Sequence, residues 1–131
     1  MRLAAAGLVI GALLMPASAG AQAQTAVRIE MSEFAFRPAA ITLTAGRPVR
    51  LVLVNEGQIA HQFETAYLRA LPVRIVGDTL HAEMPGLEFI RLNPGGTARL
   101  EFVPRRKGRF VFACTIEGHQ EAGMRGVLDV R

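Results

Sequence analysis

The feature that most constrains this chain is a series of short segments in which apolar and polar residues alternate. In the first of them, Val27, Ile29 and Met31 alternate with charged or polar neighbours, which is the period of a strand with one buried face. Turn signals such as Asn55-Glu56-Gly57 and Pro94-Gly95-Gly96 separate the later segments. We predict strands at residues 27–32, 41–44, 49–54, 59–64, 97–103, 109–115 and 126–131. Short strands at this spacing predict an all-β fold, an antiparallel β-sandwich of Greek-key type.

One stretch in the middle of the chain departs from this pattern. We predict a short helix over residues 65–71, ended by Pro72, and one more strand over residues 73–76. The sequence contains no internal repeat and no sign of a second domain.

The first 23 residues predict a secretory signal peptide rather than part of the domain. Arg2 supplies a positive charge, residues 3–14 form an apolar run, and Ala17-Ser18-Ala19 and Ala21-Gln22-Ala23 are both small-x-small cleavage sites. The run has 12 residues, whereas a membrane-spanning helix needs roughly 20. We therefore expect cleavage after Ala19 or Ala23, export to the periplasm, and a mature monomeric domain of residues 24–131 with no transmembrane segment.

The charge of the chain favours an anionic partner. Fifteen Lys and Arg residues against eleven Asp and Glu residues give a formal net charge of +4. Export and the lack of a recognisable nucleic-acid-binding motif argue against a nucleic-acid partner. Four of the basic residues, Arg105, Arg106, Lys107 and Arg109, cluster on a predicted turn. This cluster is either a solvated hairpin or a docking patch for an acidic redox partner.

Cys114 is the only cysteine, so the chain cannot form an intramolecular disulfide. A free thiol in an oxidising compartment needs an explanation. The residues after it give the spacing Cys114-x4-His119-x4-Met124 on one turn-rich loop, and His61 lies upstream, just after a turn. One thiolate, two imidazoles and a thioether are the ligands of a blue-copper site. The pattern predicts one copper ion that cycles between Cu(I) and Cu(II).

Each ligand also has an ordinary structural interpretation when it is taken alone. A single Cys or Met is typical of core packing, and a single His is typical of an exposed loop or a hydrogen-bonded strand residue. The joint spacing after the only cysteine is what favours a metal site. Met31 is an alternative axial sulfur, although a methionine inside a strand usually packs in the core. His81 is either an extra copper contact together with Met84 or an exposed histidine.

Two segments, CTIEGHQEAGMRGVLDV at residues 114–130 and NEGQIAHQF at residues 55–63, resemble the cupredoxins, the superfamily of plastocyanin and azurin. The segments FAFRPAAITLTAG and GGTARLEFVPRRKGRFVFAC are similar to the strands that flank the ligands in that family. The resemblance extends over residues 27–131. The loop spacing is similar to that of rusticyanin, auracyanin and small periplasmic cupredoxins linked to copper tolerance. The resemblance implies the ligands His61, Cys114, His119 and Met124.

One residue departs from the pattern of the family. Many members have Asn or Ser after the first His ligand, and its side chain helps to hold the ligand loops together. This chain has Gln62 at that position. The departure leaves the ligand set intact but puts the hydrogen bonds around it in question.

The favoured function is that of a one-electron carrier, and no enzymatic activity is expected. In this hypothesis the ring edge of His119 reaches the surface among Ile59, Ala60, Ile116 and Ala122, and a redox partner docks there. The alternative is a periplasmic protein that buffers or delivers copper with the same ligands. A copper enzyme of this superfamily would need further histidines, and only His81 remains. An exported scaffold without metal would leave the Cys-His-Met spacing unexplained.

Overall fold

A computed structural model describes Gly20, residues 22–77 and residues 81–131. The strands and the one helix of this part are β1 Thr25–Ser32, β2 Ala35–Arg37, β3 Ala40–Leu43, β4 Val49–Asn55, β5 His61–Glu64, α1 Ala66–Arg69, β6 Val73–Val76, β7 His81–Met84, β8 Phe89–Leu92, β9 Thr97–Phe102, β10 Gly108–Ala113 and β11 Arg125–Val130. The predicted signal peptide, apart from Gly20, Gln22 and Ala23, lies outside the described residues. Across the described ranges, none of the helical structure has the length and apolar character that crossing a membrane requires.

The strands form two sheets, which confirms the predicted β-sandwich. One sheet has the order β2-β1-β4-β9-β6-β7, and the other has the order β3-β11-β10-β5-β8. Buried apolar side chains from both sheets form one core. Phe36 of the first sheet packs edge-on against Phe112 of the second, with ring centroids 5.1 Å apart, and Phe63 adjoins both rings. Hydrophobic burial between the two sheets is thus the main stabilising contribution.

Two strand pairings differ from the antiparallel arrangement that the sequence predicted. β1 pairs with β4 in parallel, and β3 pairs with β11 in parallel, while the remaining pairings are antiparallel. In both cases the chain passes through the other sheet between the two paired strands. The two strands are therefore not joined by a hairpin. The alternation of apolar residues reports which face of a strand is buried, but it carries no information about strand direction.

The predicted helix and the strand after it are confirmed. Thr65 caps α1, because its Oγ1 accepts a hydrogen bond from the N–H of Tyr67 at 3.3 Å. The helix ends at Arg69, and Pro72 precedes β6. The sequence analysis missed the short strands β2, β7 and β8, which have only three or four residues each. The sequences of β2 and β8, AFR and FIRL, do not alternate cleanly between apolar and polar residues.

Candidate metal centre

His61 is the first residue of β5, and the turn before it is held by Asn55. The fully buried Asn55 side chain donates through Nδ2 to the carbonyl oxygens of Ile59 at 2.8 Å and Leu92 at 2.9 Å. Its Oδ1 accepts from the N–H of Gly57 at 2.9 Å. These three hydrogen bonds set the path of the chain into His61. The sequence predicted a turn here but not the role of Asn55; an Asn followed two residues later by Gly was the available signal.

Cys114 follows β10 directly, and the loop after it folds back so that Met124 returns beside it. The N–H of Cys114 donates to the carbonyl oxygen of Met124 at 3.0 Å, and the N–H of Met124 donates to that of His119 at 3.0 Å. Gly118 and Gly123 take positive φ angles of 80° and 104°, which favour glycine, at bends of the loop. The loop therefore gathers the backbone of all three predicted ligands at one end of the sandwich.

The side chains of His61, Cys114 and His119 meet at this end. The Sγ of Cys114 lies 3.3 Å from Nδ1 of His119, and the two imidazole centroids are 5.2 Å apart. One ligand atom from each of the three residues lies within 4.8 Å of the other two. His61 and Cys114 are 0% exposed and His119 is 8% exposed. The Met124 side chain is fully buried as well, and its role as axial ligand stays a prediction.

The ring of His61 is buried, yet neither of its nitrogens has a hydrogen-bond partner within the described part of the chain. A buried polar group without a partner costs about 1–3 kcal/mol. Burial lowers the pKa of His61, the Glu33 carboxylate acts against that shift, and His119 lowers the pKa further. The resulting neutral imidazole is the form that binds a metal. An unsatisfied nitrogen beside a thiol and a second imidazole fits a metal ion.

Gln62 connects the two ligand segments in two ways. Its N–H donates to the Sγ of Cys114 at 3.3 Å. Its side-chain Nε2 donates to Oγ1 of Thr115 at 2.6 Å, and Thr115 donates to Glu64 at 2.5 Å. The longer side chain of Gln62 thus bridges the two segments although it replaces the Asn or Ser that is common in the family that the sequence resembles.

The sequence analysis missed two residues at the site, Glu33 and Phe34, which form the turn between β1 and β2. Oε1 of Glu33 lies 3.5 Å from Nε2 of His61. Hydrogen bonding from the N–H of Gln58 holds the pKa of Glu33 below its ordinary value. The ring of Phe34 meets that of His119 edge-on at 5.1 Å. Nothing in the local sequence marks either residue, because their partners lie far along the chain.

The four residues expected around the ring edge of His119 are exposed or half-buried. Ile59 and Ala122 are exposed, while Ala60 and Ile116 are half-buried. The carbonyl oxygen of Ile116 accepts from the N–H of His119 at 3.0 Å, so these two residues share one turn of the loop. Phe34, with 41% of its surface exposed, and Ile59, with 42%, are large apolar residues open to solvent.

The sequence offered His81 with Met84, and Met31, as further candidates. His81 is exposed on β7, at the edge of the first sheet, and Met84 is half-buried on the same strand. Residues three apart on a strand point to opposite faces, so these two do not converge on one ion. Met31 is fully buried in β1 and belongs to the hydrophobic core.

The basic cluster lies at the other end of the sandwich. Arg105, Arg106 and Lys107 are exposed just before β10, whereas Cys114 follows the last residue of that strand. Because a strand rises about 3.3 Å per residue, the cluster is about 20 Å from the thiol. The Arg106 guanidinium lies 4.7 Å from the centroid of the Phe110 ring, which holds it in place.

Comparison with known proteins agrees with this architecture. The family model for the cupredoxin-like domain matches residues 3–130. The copper-resistant cuproprotein CopI of Rubrivivax gelatinosus is 41% identical over 117 residues, which cover 85% of this chain and 69% of that protein.

Solved structures show the same fold at low identity. Auracyanin A, a blue copper protein from Chloroflexus aurantiacus, matches with a TM-score of 0.57 and 20% identity, over 83% of this chain and all of that one. The copper-containing nitrite reductase from Thermus scotoductus matches with a TM-score of 0.65 and 15% identity, over 82% of this chain but only 31% of that one. The family match extends over nearly the whole sequence, and the chain therefore belongs to the cupredoxin-like domain family.

Proposed function

We propose that this protein binds one copper ion through His61, Cys114, His119 and Met124 and acts as a one-electron carrier. The observation that carries the proposal is the convergence of a thiol and two imidazoles in a buried site where His61 has unpartnered ring nitrogens. A metal ion would satisfy one of those nitrogens. Thiolate, thioether and imidazole together suit copper better than Mg²⁺ or Ca²⁺, which prefer oxygen ligands.

A bound copper ion would supply the exchange of one electron between Cu(I) and Cu(II). The residues of the chain hold the geometry constant during that exchange. Asn55 sets the turn before His61, and the N–H of Gln62 is directed at the sulfur of Cys114. Because the four ligands come from strand ends and a closed loop, little rearrangement is expected when the charge of the metal changes.

We further propose that electrons pass through His119, the most exposed of the four residues. Phe34 and Ile59 give this end an apolar exposed surface, which suits the small and short-lived interfaces of redox partners. The basic cluster does not adjoin this surface. An acidic partner that binds Arg105, Arg106 and Lys107 would therefore sit at the opposite end from the proposed electron route.

A second candidate function is copper tolerance, in which the same site buffers or delivers the metal. The 41% identity to a protein named as a copper-resistant cuproprotein favours it. Reversible voltammetry together with slow loss of copper to a chelator supports the carrier. Rapid transfer of copper to a chelator, with sluggish redox behaviour, supports copper handling.

Export and the absence of enzymatic activity belong to the same proposal. Residues 1–23 would direct the chain to the periplasm, and residues 24–131 would function there as a monomer. An enzyme with a second copper site needs more histidines than His81 alone, and the chain matches less than a third of the solved nitrite reductase.

The test is the visible absorption spectrum of the Cu(II)-loaded protein. We expect an intense thiolate-to-copper band that disappears in Cys114→Ala and is lost or strongly shifted in His61→Ala and His119→Ala. His81→Ala is the matched control and should keep the band, because His81 is exposed on β7. A protein that binds only Cu(I) tightly would support copper handling, and no copper binding would refute both functions.

A further inference from the structure

We propose that Glu33 is a positioning residue for His61: its carboxylate holds the imidazole at Nε2 and secures the turn that precedes it, so that Nδ1 faces the metal. The inference rests on the proposed copper site and adds a determinant of its affinity and reduction potential. Glu33 lies in the turn between β1 and β2, which contains none of the four proposed ligands.

The contacts of Glu33 support this role. Its Oε1 accepts from the N–H of Gln58 at 2.5 Å and from the N–H of Ile59 at 3.3 Å. The same oxygen lies 3.5 Å from Nε2 of His61, which is close enough for electrostatic attraction but longer than a formed N–H···O hydrogen bond. One carboxylate therefore hydrogen-bonds to the turn before His61 and also lies beside the ring.

The neighbouring carboxylates at this end behave differently. Glu30 and Glu56 both pair with Arg28, at 3.2 Å and 2.6 Å, as ordinary surface ion pairs do. Glu33 is directed instead at two backbone N–H groups and an imidazole. Its placement is therefore specific to the turn and to His61.

Gly57 provides the space for this contact. A Cβ built at Gly57 would collide with Oε1 of Glu33 and would lie 2.9 Å from Nε2 of His61. The φ angle of Gly57 is not in the positive region, so the requirement is for space rather than for backbone freedom. A methyl group at this position would displace the flexible Glu33 carboxylate before the buried imidazole.

A carboxylate at the second ring nitrogen has two consequences for a metal-bound histidine. It selects the tautomer and orientation of the ring and makes the other nitrogen a stronger donor. Its negative charge also favours Cu(II) over Cu(I), which lowers the reduction potential. Loss of the carboxylate should therefore weaken Cu(II) binding and raise the potential.

The experiment compares Glu33→Gln and Glu33→Ala with the wild-type full chain, with Glu117→Gln as the control. Glu117 is an exposed carboxylate on the ligand loop, so its variant makes the same charge change. We expect about a tenfold or greater loss of Cu(II) affinity in both Glu33 variants, an upward shift of the potential, and an altered copper hyperfine splitting in the EPR spectrum. Gly57→Ala should reproduce the direction of these changes with Glu33 still present.

Nuclear magnetic resonance of the metal-free protein separates this proposal from the copper function. Long-range ¹H–¹⁵N spectra should show His61 as the Nε2–H tautomer in the wild type and a mixture of tautomers in Glu33→Ala, even if copper does not bind. The proposal is overturned if the tautomer of His61 is the same in both proteins. It is also overturned if Glu117→Gln shifts affinity and potential as much as Glu33→Gln does.

Discussion

The side chain of Gln62 donates to Oγ1 of Thr115 at 2.6 Å, which joins the residue after His61 to the residue after Cys114. These two segments are far apart in the sequence and meet only in the second sheet. Thr115 in turn donates to Glu64 at 2.5 Å, so the bridge returns to β5, the strand that contains Gln62. The two imidazoles and the thiol are thus held by side-chain hydrogen bonds as well as by the strands.

Gln62→Leu should lower the free energy of unfolding by about 1 kcal/mol, because it removes the part-buried side-chain hydrogen bonds of Gln62 to Thr115 and Glu64 at nearly constant volume. The same variant should release copper faster, since the two ligand segments lose a connection. Chemical denaturation and a chelator-transfer assay measure the two effects. Gln120→Leu, on the exposed part of the ligand loop, is the control, and equal effects of the two variants would contradict the bridge.

Gly126→Ala should destabilise the protein by about 1–3 kcal/mol through overpacking. Gly126 pairs with Phe112 across β10 and β11, and a Cβ there would collide with the Phe112 ring and the carbonyl oxygen of Ala39. The backbone cannot yield easily at a paired strand position. Thermal unfolding of the metal-free protein measures the loss. Gly95→Ala is the control, because its added methyl group meets open space and only the positive φ is strained. A larger loss of stability in Gly95→Ala than in Gly126→Ala would contradict the packing argument.

The strands and the ligand loop could be predicted because each depends on residues close together in the sequence. Alternation identified β1 and β3, and the spacing Cys114-x4-His119-x4-Met124 identified the loop that the structure closes. Strand direction in the parallel pairs could not be predicted, since it depends on which sheet the chain enters after each crossing. Glu33 was missed for a similar reason: its relation to His61 exists only after β1 and β4 have paired.

Glu101 should contribute to stability in a pH-dependent manner. Arg50 lies directly opposite it on β4, and its guanidinium donates twice to Oε1, at 2.8 and 3.0 Å. This pairing holds the pKa of Glu101 below the ordinary value of 4.5. A depressed folded-state pKa gives stability that is present above the unfolded pKa and is lost as the pH falls through the folded value.

The measurement is the free energy of unfolding of wild type and Glu101→Gln between neutral and acidic pH. The wild type should be the more stable protein at neutral pH, and the difference should shrink as the pH falls below about 4.5. Salt should reduce the difference at neutral pH, because the pair is partly exposed. A difference that stays constant through the acidic range would contradict the lowered pKa of Glu101.

Phe34→Asn should slow electron exchange several-fold without destabilising the fold. The Phe34 ring contacts His119 and is 41% exposed, so its loss removes apolar surface next to the proposed electron route. Its φ of 59° suits Asn better than Phe, and the free energy of unfolding should be unchanged or slightly higher. Line broadening in mixtures of oxidised and reduced protein measures the self-exchange rate. The control is Val111→Asn, which removes an exposed apolar side chain from β10 and should leave the self-exchange rate unaltered. If both variants slow the rate equally, the surface around His119 has no special part in electron exchange.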